Sequence, residues 1–70
     1  MKIQISDNEF MDIQDIDTTD KKLAVEFLEF KIEVIKEQLK YRTNDNDWAN
    51  SAIRAMIHAK RQLKAVKAVL

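Results

Sequence analysis

From about residue 20 to residue 42, apolar side chains recur in steps of four and three along two interlaced seams. One is Leu23, Phe27, Phe30, Val34 and Tyr41; the other is Leu28, Ile32, Ile35 and Leu39. That spacing follows the turn of an α-helix and predicts a long amphipathic one. At about 100° per residue the seams lie side by side and cover more than half of the circumference. One neighbouring helix buries one stripe, so a face this wide asks for two partners.

A second periodic stretch predicts another helix over about 46–69. Its apolar positions are Ala52, Met56, Ala59, Leu63, Val66 and Leu70, with Trp48 and Ala55 on the same side. The alanines are small enough for bulky residues of the first helix to interdigitate with them. Between the helices, the polar run Arg42-Thr43-Asn44-Asp45-Asn46-Asp47 breaks the pattern. Asp45, with Asn46 or Asp47 as alternatives, can accept the first backbone N–H groups of the second helix. Asp17-Thr18-Thr19-Asp20 offers several caps for the first. So short a linker makes the helices antiparallel neighbours. The expected fold is therefore all-α: an antiparallel helical hairpin over 20–70, expected to assemble into a helical bundle.

Residues 1–19 read as an acidic N-terminal arm. Ser6-Asp7-Asn8-Glu9 has the form of a capping box and predicts a short helix over about 7–14, lining up Phe10, Met11 and Ile13. Ile3 and Ile5 fit a short extended stretch. Up to Asp20, Lys2 stands alone against Asp7, Glu9, Asp12, Asp15, Asp17 and Asp20. The apolar residues imply that the arm docks, either within one chain or on a second copy; its charge implies a basic surface beneath it.

Composition narrows the picture further. Seventy residues make at most one small domain, and so small a core usually needs a staple. With no Cys there is no disulfide, and the lone His58 cannot build a thiolate zinc site, so association is the expected source of added stability. No metal and no cofactor are expected. The absence of Gly and Pro excludes Gly-rich nucleotide-binding loops and makes sheets improbable. The start of the chain turns polar at Ser6-Asp7, unlike a signal peptide. No run approaches the ~18 apolar residues of a membrane span. A cytoplasmic protein without a membrane partner is expected.

Candidate functional residues fall in two groups. After Asp47 every charge is positive: Arg54, Lys60, Arg61, Lys64 and Lys67. Arg54, His58, Arg61 and Lys64 share one side of the second helix and form a candidate stripe for a partner, a nucleic acid or another anionic ligand. The blander account is a solvated face, partly neutralised by the arm and by Glu26, Glu29, Glu33 and Glu37. It is favoured because net charge is zero and no aromatic interleaves the stripe for base stacking. The second group comprises interface candidates on the first helix: Phe27, Phe30, Lys31, Val34, Gln38 and Tyr41. Lys31 and Gln38 interrupt the apolar face where Leu would be expected: either Lys31 extends its methylenes over the core to water, or the pair fixes register or lines a small ligand pocket at an oligomer interface. Trp48 and Tyr41 flank the turn and are read first as packing residues. Asp12, Asp15, Asp17 and Asp20 lack the Gly and bidentate Glu of a calcium loop. His58 has no second His or Cys beside it, and no nucleophile–base pair can be assembled.

The stretch Asp45-Asn46-Asp47-Trp48, followed by Ala52, Ala55, Ala59 and Leu63, resembles the second helix of small helical-hairpin proteins encoded by phages and prophages. The likeness covers the last third of the chain, and the Pro often found after that first Asp is missing. It implies a small accessory protein acting on a host factor and carries over no functional residue. Taken together, the expected function is a non-enzymatic interaction protein that self-associates and binds a protein partner. The alternative is a nucleic-acid- or nucleotide-binding regulator that uses the basic helix, with the acidic arm shielding that helix in the free state.

Overall fold

The computed structural model describes residues 1–42 and 44–70. Its elements run β1 (Lys2–Gln4), β2 (Phe10–Asp12), α1 (Thr18–Tyr41) and α2 (Asn46–Ala68). The two helices pack antiparallel as a hairpin, and β1 touches both of them. The molecule is elongated, 41 × 21 × 17 Å.

Each helix starts where a side chain can cap it. Asp17 accepts the N–H of Asp20 at 2.7 Å and Asp45 accepts the N–H of Trp48 at 3.0 Å. In both cases a carboxylate satisfies a donor that the helix itself leaves orphaned. Among the four residues that could have capped α1, Asp17 is the one that does. The chain between the helices is short, and Arg42 lays its guanidinium 4.3 Å from the centroid of the Trp48 ring. That contact ties the end of α1 to the start of α2 and supports the packing role read for Trp48. At the opposite end, Lys21 Nζ donates to the carbonyl of Val69 at 3.2 Å. Glu29 and Lys67 bridge the helices at 3.4 Å.

The buried core is Ile3, Ile16, Ala24, Leu28, Ile32, Ala59 and Val66. Leu28 and Ile32 belong to the second apolar seam of α1, while Ala59 and Val66 belong to the seam of α2. Ala24 and Ala59 are buried and small, so the larger core residues beside them can fill the interface. Met56 and Leu63 pack against it as half-buried residues, and Ile35 and Leu39 are half-buried as well. Leu70, placed on the α2 seam by spacing, lies past the end of the helix and is exposed.

The arm departs from expectation. No helix forms over 7–14. Residues Lys2–Gln4 and Phe10–Asp12 instead pair antiparallel, with Lys2 opposite Asp12, Ile3 opposite Met11 and Gln4 opposite Phe10. Alternation explains the outcome: Ile3 and Met11 turn towards the helices, while their neighbours Lys2 and Asp12 point to the other face. A helix over 7–14 would have separated Ile3 from Met11 and given up that paired apolar face. The lack of Gly does not prevent the turn, because the loop is long. The N–H of Ile5 donates to the carbonyl of Glu9 at 3.0 Å, and no described residue has a positive φ. Three-residue strands are not stable alone. This pair persists because Ile3 is fully buried against the helical hairpin.

Candidate interaction surface

The second helix and the arm do not exhaust the apolar face of α1. On the first seam, Phe27 and Val34 are half-buried. Leu23 is 50% exposed, Phe30 67% and Tyr41 77%. The arm reaches the near edge of this seam and leaves a groove of about 350 Å³, lined by Gln4, Asp7, Phe27, Phe30, Lys31, Val34 and Ile35. Glu26 and Glu37 lie beyond Phe30 on the helix surface and are exposed, while Glu33 lines a separate hollow with Glu29, Lys36 and Lys60. Their contacts are solvated i,i+3 pairs, Glu33 with Lys36 at 3.9 Å and Glu37 with Lys40 at 3.6 Å. Such pairs hold a charge only weakly.

A chain of polar contacts fixes the floor of the groove. Lys31 Nζ donates to Gln4 Oε1 at 2.6 Å, and the N–H of Gln4 donates to Gln62 Oε1 at 3.0 Å. Gln62 is 3% exposed, the one buried polar side chain among the described residues. Its Nε2 lies 2.8 Å from Nε2 of His58. With Oε1 committed to Gln4, the amide nitrogen must donate, so His58 accepts there and carries its ring proton on Nδ1. Lys31 is thus neither a loose snorkel nor an unsatisfied charge: together with Gln62 it clamps the arm onto both helices. Gln62→Leu keeps the volume and removes the acceptor, stranding the part-buried N–H of Gln4. A loss of about 1–3 kcal/mol is expected in chemical denaturation, with faster amide exchange at Gln4. Unchanged exchange there would show that the amide is not needed to hold the arm.

The basic residues of α2 separate into two settings. His58 joins the clamp, on the side where the arm docks. Arg54, Lys60, Arg61 and Lys64 stand exposed, and none of them forms an ion pair among the described residues. The acids of the arm are not drawn to them. Asp12 accepts the N–H of Gln14 and faces the chain's amino terminus at 4.0 Å, and Asp17 caps α1. The arm therefore docks through Ile3 and the Gln4 amide rather than through its charge. Among the described residues no three acidic or histidine side chains gather into a metal-sized cluster.

Of the interface candidates, the structure brings Phe27, Phe30, Lys31 and Val34 together around one groove. Gln38 and Tyr41 lie further along the helix, exposed and outside it. Three residues carry no mark of function in the sequence. Gln62 looks like one more polar position in the sequence, although it lies one turn from Ala59 and Val66 and so on the core side of α2. Ile53 and Ile57, an i,i+4 pair off the α2 seam, are exposed among the basic residues. Their spacing was the available signal. Comparison with family models, with curated proteins and with solved structures finds no match to this chain.

Proposed function

We propose that this chain is a small non-enzymatic interaction protein that self-associates and binds a protein partner through the first seam of α1. One observation carries the reading: Leu23, Phe30 and Tyr41 stay exposed in line after the arm and α2 have docked. Large apolar patches rimmed by charge mark protein contacts more often than free surface. Aromatic side chains are also the residues from which interfaces draw most of their energy. The core beneath is small, so association adds stability where the monomer has little. The likeness of the Asp45–Trp48 stretch to phage-encoded hairpins supports a cytoplasmic accessory role with a host protein as partner. No helix among the described residues is long and apolar enough to cross a membrane.

The test is sedimentation of the chain and of Phe30→Glu. The wild type is expected as a dimer or larger. The variant should associate roughly 30-fold more weakly, the effect of losing about 2 kcal/mol at a central aromatic. Its circular dichroism should be unchanged because Phe30 is exposed. A wild type that stays monomeric at every concentration removes the self-association.

A second reading rests on the free cations Arg54, Lys60, Arg61 and Lys64. A nucleic acid or nucleotide bound there would be lost steeply with added salt. On this reading the acidic arm makes no ion pair with these cations among the described residues.

A further inference from the structure

The exposed face of α2 answers the exposed face of α1 in both shape class and charge. At about 100° per residue, Ile53, Ile57, Lys60 and Lys64 lie opposite the buried Ala59, Gln62 and Val66, with Arg54 and Arg61 beside them. Two exposed isoleucines thus sit among four cations; Lys60 also borders a hollow with Glu29 and Glu33 of α1, while Arg54, Arg61 and Lys64 form no ion pair among the described residues. The outer seam of α1 has the reverse dressing. Phe27, Phe30 and Val34 line a groove together with Asp7, and Asp20, Glu26 and Glu37 lie around it; the cation in its lining, Lys31, is already donating to Gln4, and Lys40 is paired with Glu37. The net charge of zero conceals an uneven spread: beyond Asp47 every charge on α2 is positive, whereas ten of the twelve acids lie on the arm and α1.

We infer that the occupant of the α1 groove is the α2 face of a second copy of this chain. Ile53 and Ile57 supply the apolar knobs; Arg54, Arg61 and Lys64 meet the glutamates at the rim. The inference rests on α1 being the interface and adds what fills it. Two consequences follow from placement. The α1 seam points away from α2 and the isoleucine face points away from α1, so the patches occupy opposite flanks. A two-fold dimer cannot engage both pairs at once, whereas a head-to-tail contact can, and it leaves one free patch at each end. A contact between two single-helix faces also falls at the small end of specific interfaces, below about 1,200 Å² in total, so it is weak, reversible and salt-sensitive.

The experiment uses the full chain, Phe30→Glu and Ile57→Glu, alone and mixed, by sedimentation across a concentration series. Circular dichroism confirms the fold of each, since both side chains are exposed. The wild type is expected to gain mass steadily with concentration, without a plateau at the dimer, and to lose it with added salt. Each variant alone should remain monomeric where the wild type associates. The equimolar mixture should form a complex of two chains and no more, because Phe30→Glu keeps a working α2 face and Ile57→Glu keeps a working groove. If Ile57→Glu associates like the wild type while Phe30→Glu does not, the α1 interface stands and the α2 occupant is overturned in favour of a symmetric α1 pairing. Two monomeric variants that fail to combine also overturn the head-to-tail contact. If Phe30→Glu associates like the wild type, the α1 interface itself falls, and this inference with it. A monomeric wild type ends both.

Discussion

Leu28→Ala is expected to remove about 2–5 kcal/mol of stability, a large share of what a chain of this length possesses. Leu28 is fully buried between the helices, beside Ala24 and Ile32 on α1 and within the core that also holds Ala59 and Val66. Truncation loses the transfer energy of the side chain. It also leaves a cavity that the flanking alanines cannot fill, because neither has an atom beyond Cβ to move into it. For a domain of 60–100 residues, each kilocalorie shifts the melting temperature by about 4–8 °C, so a fall of more than ~10 °C is expected. Thermal and urea denaturation followed by circular dichroism would measure it. A loss below about 1 kcal/mol would mean that the two helices do not depend on this seam. Ile35 and Leu39, on the same seam but half-buried, should cost less when truncated.

Ile3→Ala should have an effect of similar intrinsic size but a different reach. Ile3 is fully buried, and it is the point at which the strand pair meets both helices. Three-residue strands have no stability of their own to fall back on. Loss of the side chain is therefore expected to release the arm before it melts the helices. Two amides report on that directly: Ile5 N–H, which donates to Glu9, and Ile13 N–H, which donates to Met1. Both should exchange much faster in the variant, while most of the helical signal at low temperature remains, as expected of local opening. If helices and arm are instead lost together in one transition, the arm is an integral part of the core rather than a docked segment.

The contrast between these two substitutions also separates what spacing along the chain reveals from what it conceals. The seams of α1 and α2 repeat over four to six positions each, and the caps at Asp17 and Asp45 sit beside them. Signals that long and that local survive without knowledge of the rest of the chain. The arm offered two short signals in conflict. A four-residue capping box argued for a helix, and the alternation of Ile3 and Ile5, then Met11 and Ile13, was compatible with strands. Over so few residues the choice falls to whichever conformation buries more against the helices, and the strand pair does so through Ile3. Gln62 shows the same limit. Its polarity argued for solvent, yet its place on α2 puts it where the Gln4 amide needs an acceptor.

The pattern of apolar and polar positions by itself determined the helical hairpin, its antiparallel sense and the excess width of the apolar face on α1, because these follow from helical period and linker length alone. Only the tertiary structure decided how that excess is shared. The arm folds back along one edge, is clamped by Gln4, Gln62 and Lys31, and leaves Leu23, Phe30 and Tyr41 uncovered. The division depends on contacts between residues far apart in the chain, such as Gln4 and Gln62, which no local period encodes.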